Sequence, residues 1–180
     1  MIIHLNSYPG VGKLTIGRLL AARIGAKLLD NHSIYNVAFA LTEFKSPEFY
    51  ETVRSVRKVA YDRVTEISQK TPVILTNAHF QDSRWGNECW DEVIDLAHRC
   101  NRSHLVVVLD CSREENARRI QSSDRDEKRK PRNPALFRQG KEDRVLIDRD
   151  GDAVLRLDVT SRTAAQAAQE IETWIRKFIQ

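Results

Sequence analysis

The sequence predicts an α/β fold in which a parallel β-sheet is covered by helices on both faces. Three observations carry this. Short apolar runs alternate with helical patterns five times along the chain. The run His104-Leu105-Val106-Val107-Val108-Leu109 is apolar almost without a break, as in a central parallel strand buried on both sides. The first apolar run opens into a glycine-bearing loop and then an amphipathic helix, the layout of a βα unit.

The elements follow in order. Met1–Leu5 reads as the first strand, and Ile16, Leu19, Leu20 and Ile24 mark the buried stripe of the helix after the loop. Ala26–Asp30 is a short second strand. A helix is expected from about Ser33 to Leu41, and a longer one from Pro47 to about Gln69 with Val53, Val56, Ala60, Val64 and Ile67 on one face. Pro72–Thr76 is the third strand, and Trp90, Val93, Ile94 and Ala97 mark the next helix. After the fourth strand, a helix from about Arg113 to Gln121 leads into a charged stretch at 124–132. Ala153–Asp158 is the fifth strand. The last helix buries Ala164, Ala167, Ala168, Ile171, Trp174, Ile175 and Phe178. With 180 residues and no repeats or linker, the chain reads as one domain over 1–180.

Hydrophobic content of 41% and charged content of 30% describe a soluble globular protein. No apolar run approaches the ~20 residues of a membrane span, and the N-terminus enters a strand without a signal-peptide pattern. Cys89, Cys100 and Cys111 are odd in number and lack C-x-x-C spacing, which points to reduced thiols, a cytoplasmic location and no zinc site. A net charge of +4 suits an anionic ligand without by itself indicating nucleic acid. A monomer or homodimer is expected.

The richest segment is Asn6-Ser7-Tyr8-Pro9-Gly10-Val11-Gly12-Lys13-Leu14-Thr15. Strand, glycine loop, lysine and helix make a phosphate-binding loop, in which backbone N–H groups and the helix N-terminus face anionic oxygens. Gly10 and Gly12 permit angles that a Cβ would block. Lys13 supplies a mobile positive charge for β- and γ-phosphates. Two residues depart from the G-x-x-x-x-G-K-[ST] pattern. Ser7 takes the place of the first Gly, and Leu14 replaces the hydroxyl that ordinarily meets Mg²⁺. Thr15 comes one residue late, turned by about 100°, and suits an α-phosphate contact better than a metal. The nucleotide contacts expected here are Tyr8, Pro9, Gly10, Val11, Gly12, Lys13, Leu14 and Thr15. An ordinary glycine turn is the alternative.

Other candidate residues follow strand ends, where such sheets bind ligands. Asp30 could accept a proton from an attacking hydroxyl or hold Mg²⁺ through water; capping the next helix is the other reading. His32, Asn77, His79 and Arg84 are candidate substrate contacts, the last three on a polar 77–86 loop that reads as substrate-binding surface, with an ordinary exposed connection as the alternative. Thr76 or Asn77 stands where a second metal-anchoring Asp is usual in phosphate-loop proteins. Arg125, Arg129 and Arg132 fall in a segment at about 123–133 that reads as a lid closing over phosphates, or as a solvated charged loop.

With these residues in place, the chain resembles the small P-loop kinases that include shikimate kinase, gluconate kinase, chloramphenicol phosphotransferase and adenylate kinase. The resemblance implies a three-layer α/β/α P-loop NTPase fold with a five-stranded sheet in order 2-3-1-4-5. It also implies ATP with Mg²⁺ as donor and a small-molecule acceptor. Asp30-Asn31-His32 matches the first carboxylate of the shikimate-type Asp-x-Asp, with His32 replacing the second. Arg119-Ile120 matches the Arg of the adenine-stacking step. Asp158-Val159-Thr160-Ser161 resembles the adenine-contacting loop, which makes Arg119 and Val159 nucleotide contacts, and the lid arginines map loosely to Arg125, Arg129 and Arg132.

The resulting expectation is phosphoryl transfer from ATP to a small acceptor, with Lys13, Asp30, Arg125 and Arg129 catalytic. Three rivals stand beside it. A nucleotide-binding regulator with weak or no catalysis is motivated by Leu14. A polynucleotide kinase is suggested by the sequence pI of ≈ 9.1 and the basic stretch. A triphosphatase that needs no acceptor is the third.

Overall fold

A computed structural model of the chain describes residues 1–121 and 144–178. The expected lid at 123–133, with Arg125, Arg129 and Arg132, lies outside the described residues. The strands are β1 (Ile2–Ser7), β2 (Lys27–Asp30), β3 (Val73–Asn77), β4 (His104–Asp110) and β5 (Ala153–Asp158). The helices are α1 (Lys13–Ile24), α2 (Asn31–Leu41), α3 (Pro47–Thr65), α4 (Arg84–Arg99), α5 (Arg113–Ile120) and α6 (Ala164–Ile175). The strands form one sheet in the order β2-β3-β1-β4-β5, and every pair is parallel. This is the expected fold.

The sheet order follows from burial. β1 is buried at every residue and pairs with β3 on one side and β4 on the other, Ile3 lying level with Ile74 and Leu105. Its residues alternate between two cores. Ile3 and Leu5 pack with Ile16 and Leu20 of α1 and Ala167 and Ile171 of α6. Ile2 packs on the other face with Val53 and Val64 of α3 and Val93 and Leu96 of α4. Each such apolar side chain contributes on the order of 1.5–3 kcal/mol on leaving water, so a strand buried on both faces is stable only between two covering layers.

Two expectations are corrected, and one alternative is set aside. The third helix ends at Thr65 rather than near Gln69. There the carbonyls of Ile67, Ser68 and Thr71 turn to accept hydrogen bonds from the buried Arg102 guanidinium, an arrangement incompatible with continued helix. The last helix ends at Ile175, and Phe178 falls in a 3₁₀ turn, exposed, with its ring against Trp174 rather than in the core. The 77–86 segment is not an open polar connection. Asn77 is buried at the end of β3, and His79 and Phe80 are covered by residues 145–147, with Gln81 N–H donating to the Val145 carbonyl and Ile147 N–H to the His79 carbonyl.

Candidate active site

The loop between β1 and α1 turns on two left-handed glycines, Gly10 at φ +92° and Gly12 at φ +107°. Gly12 occupies the N-cap position of α1 and, having no side chain, makes no cap bond to that end. By contrast α3, α4, α5 and α6 each begin on a Ser or Thr whose oxygen accepts a first-turn N–H. The first turn of α1 therefore presents its amides and the positive end of its dipole toward the loop cavity. Lys13 opens the helix, with its Nζ donating to Ser7 Oγ at 3.3 Å. Ser7, the residue in place of the usual first glycine, is itself fully buried and holds the lysine ammonium beside the loop. Leu14 is buried in the core and Thr15 is exposed.

Helix α5 holds the loop from behind. Asn116 Nδ2 donates to the Pro9 carbonyl at 3.0 Å, and Arg119 donates to the carbonyls of Val11 at 2.6 Å and Val159 at 2.7 Å. Glu115 accepts from Arg119 Nε and fixes the guanidinium, while the two neighbouring arginines, Arg118 first, hold the carboxyl of Glu115 down at a pKa of about 2. Arg119 thus joins the phosphate loop to the loop after β5, where Val159 is buried and Thr160 Oγ1 accepts from Ser112 N–H. Tyr8 donates from its hydroxyl to the Arg144 carbonyl at 2.7 Å.

Asp30 ends β2 at the same edge of the sheet. Its backbone is the N-cap of α2, yet its side chain makes no capping bond. The carboxylate instead accepts from Thr76 Oγ1 at 2.5 Å. His32 is half-buried in the first turn of α2 and Arg84 is exposed at the start of α4. Asn77 is turned inward, its Nδ2 lying 2.9 Å from His4 Nε2, and with His79 it lines a small cavity of ≈ 10 Å³, about the room one water needs. Among the described residues, His79 Nδ1 has no hydrogen-bond partner. Burial, with Arg57 and Lys13 adding repulsion, pushes His79 down to about 3, so the ring is neutral between two cations. The structure thus gathers Lys13, Asp30, Asn77 and His79 at one end of the sheet, and leaves Arg84 outside the cavity lining.

Several residues escaped the sequence reading. Arg57, from α3, is almost fully buried on the cavity wall and donates to Cys89 Sγ at 2.8 Å. Its place at four-residue spacing between Val53 and Tyr61 on the buried stripe was the available signal. Asn6, polar in a fully buried strand, donates from Nδ2 to the carbonyls of His79 and Ile147 and accepts from His79 N–H, joining three segments.

The residues fit a nucleoside triphosphate: an uncapped helix start, two left-handed glycines and an ammonium group match the oxygens of a phosphate chain. The fit to Mg²⁺ is poorer. The usual ligand position is the buried Leu14, and the described residues hold no group of three or more His, Cys, Asp or Glu side chains placed to bind a metal.

The fold and this loop define a P-loop NTPase domain. Residues 3–144 match the AAA domain family, and the chain belongs to it. Among curated proteins, none matches the chain. Similar solved structures include a sugar kinase from a Janibacter species, at 17% identity and a TM-score of 0.64, covering 97% of this chain and 94% of the other. An APS kinase from Mycobacterium tuberculosis, in complex with AMPPNP and APS, is 15% identical with a TM-score of 0.61 and coverages of 97% and 96%. A gluconokinase from Sinorhizobium meliloti is 15% identical with a TM-score of 0.62 and coverages of 98% and 91%. These likenesses are of fold.

Proposed function

We propose that the chain is a single-domain, ATP-dependent small-molecule kinase. The observation that carries the reading is the uncapped start of α1, with Lys13 on it, at the same sheet edge as Asp30. The neighbours named as sugar kinase and gluconokinase, and the APS kinase that holds AMPPNP, support it. The loop from Tyr8 to Thr15, through its N–H groups other than at Pro9, and the Lys13 ammonium hold the phosphates, and Arg119 and the Val159 segment border the base. His32, Asn77, His79 and Arg84 belong to the acceptor side. Asp30 orients the acceptor hydroxyl and takes its proton as the oxygen forms a bond to the γ-phosphorus. The bond from that phosphorus to the β–γ bridging oxygen breaks, and ADP departs. Arg125 and Arg129, outside the described residues, neutralise charge on the transferred group. Mg²⁺, when bound with the nucleotide, neutralises phosphate charge; Asp30 would hold it through water.

No helix among the described residues is long and apolar enough to cross a membrane. All three cysteines are buried and unbridged, in keeping with work in a reducing cytoplasm. A second reading, nucleotide binding with little turnover, is favoured by one observation, the oxygen-free Leu14 at the usual metal position. Release of ADP from ATP, screened across sugars, sugar acids, nucleosides and antibiotics, separates the two. The kinase reading expects at least one acceptor to raise ADP release well above the rate with ATP alone. Tight ATP binding with no acceptor effect in any class would favour the second reading.

A further inference from the structure

The register of β2 on β3 places Asp30 beside Thr76, so the two side chains leave the same face of neighbouring strands. Thr76 is buried, 1% exposed, and a hydroxyl there needs a partner. It finds two. Thr76 Oγ1 donates its one proton to Asp30 Oδ1 at 2.5 Å, within the short range of hydroxyl–carboxylate bonds, and accepts from Asn31 N–H at 3.3 Å. A directed chain therefore runs from the first N–H of α2, through the hydroxyl, to the carboxylate. An aspartate whose backbone sits at an N-cap ordinarily turns its side chain onto the N–H groups two or three residues later. Asp30 does not. It turns toward β3, and the strand order places β3 between β2 and the phosphate-loop strand β1.

We propose that Thr76 is a positioning residue for the reaction: its hydroxyl holds the Asp30 carboxylate away from the cap of α2 and toward the phosphate loop. This rests on the role given to Asp30 above. Thr76 thereby does different work from the metal-anchoring aspartate usual at the end of this strand. Valine has nearly the shape of threonine and lacks the hydroxyl. In Thr76→Val the carboxylate is released to cap α2, and the proton acceptor is no longer aimed.

The test uses the full chain and ATP alone, with water standing in for the acceptor, and reads kcat and KM for ATP from ADP release. Thr76→Val is expected to lower kcat by about tenfold, the range for a lost bond to a charged group, with KM for ATP unchanged. Thr76→Ser, which keeps the hydroxyl, stays within about twofold of wild type. In an Asp30→Asn background, Thr76→Val has no further effect. Amide exchange at Ser33, the third residue of α2, slows in Thr76→Val as the freed carboxylate caps it. That last readout is independent of turnover and of a general loss of stability, which would speed exchange. A Thr76→Val enzyme with wild-type kcat, while Asp30→Asn is impaired, overturns the proposal alone. So does equal impairment of the Ser and Val variants, or unchanged or faster exchange at Ser33. Wild-type kcat in Asp30→Asn overturns it together with the role of Asp30.

Discussion

Lys13 begins α1 with its ammonium 3.3 Å from Ser7 Oγ, a contact long and partly exposed enough to be exchanged for phosphate oxygens. Its removal should therefore leave the fold alone and act on the ligand. Lys13→Ala is expected to weaken ATP binding at least ~10-fold, the scale of a charge-assisted contact, with the thermal midpoint unchanged. Calorimetric titration beside a melting curve checks both. Leu14, one residue on, should show the opposite profile, because it is a core residue in a motif position. Leu14→Ser is expected to cost about 2–4 kcal/mol of stability, as deletions of buried leucine do, seen as a lower urea midpoint.

At the scale of elements, the loop is shaped by what packs behind it. A Cβ on Gly10 would lie 2.5 Å from Ile120 Cγ1 and 2.9 Å from Asn116 Nδ2, at a φ of +92°. Gly25, at the end of α1, has φ +65° and nothing within 4 Å of such a Cβ. Gly10→Ala should accordingly cost about 2 kcal/mol or more and displace α5, while Gly25→Ala costs about 1 kcal/mol for backbone strain alone. Comparing their urea midpoints, and ATP affinity for the Gly10 variant, checks the claim that α5 braces the phosphate loop. The loop and the strand end at Asp30 were legible because the signals are local: apolar runs, glycines and a lysine in fixed order. The partner of Asp30 was not, because Thr76 lies 46 residues away and meets it only through strand register. The burial of His79 and Phe80 was hidden for the same reason, since the covering segment 145–147 lies far along the chain. Arg57 was passed over because a charge on a buried stripe reads as solvent-facing until the cavity it borders is known.

The whole molecule carries a cost for its polar interior. His4 lies tilted against Trp90 and stacks on His104, their ring nitrogens 3.4 Å apart, with His79 at its edge. Burial holds His4 well below its ordinary value, with His104 and His79 adding repulsion; burial likewise lowers His104 and takes His79 to about 3. Folding favours the neutral form of all three, which bind protons near 6.5 when unfolded. Below that pH the unfolded chain binds more protons, so stability is full above about 6.5 and is lost as pH falls, for His79 down to about 3. Each histidine contributes a slope of up to about 1.4 kcal/mol per pH unit in that window. Urea midpoints should fall steadily from pH 7 to pH 5, and His79→Gln should reduce the slope. A flat profile over that range would contradict the neutral cluster.

On the proposed reading, this sheet edge carries a γ-phosphoryl group from ATP to a small acceptor. Transfer of label from γ-labelled ATP into product, in the presence of the acceptor that most stimulates ADP release, measures it directly. Label is expected in the acceptor in one-to-one proportion with ADP, with no transfer by the Lys13→Ala variant. Label recovered only as inorganic phosphate, at a rate indifferent to any acceptor, would contradict it.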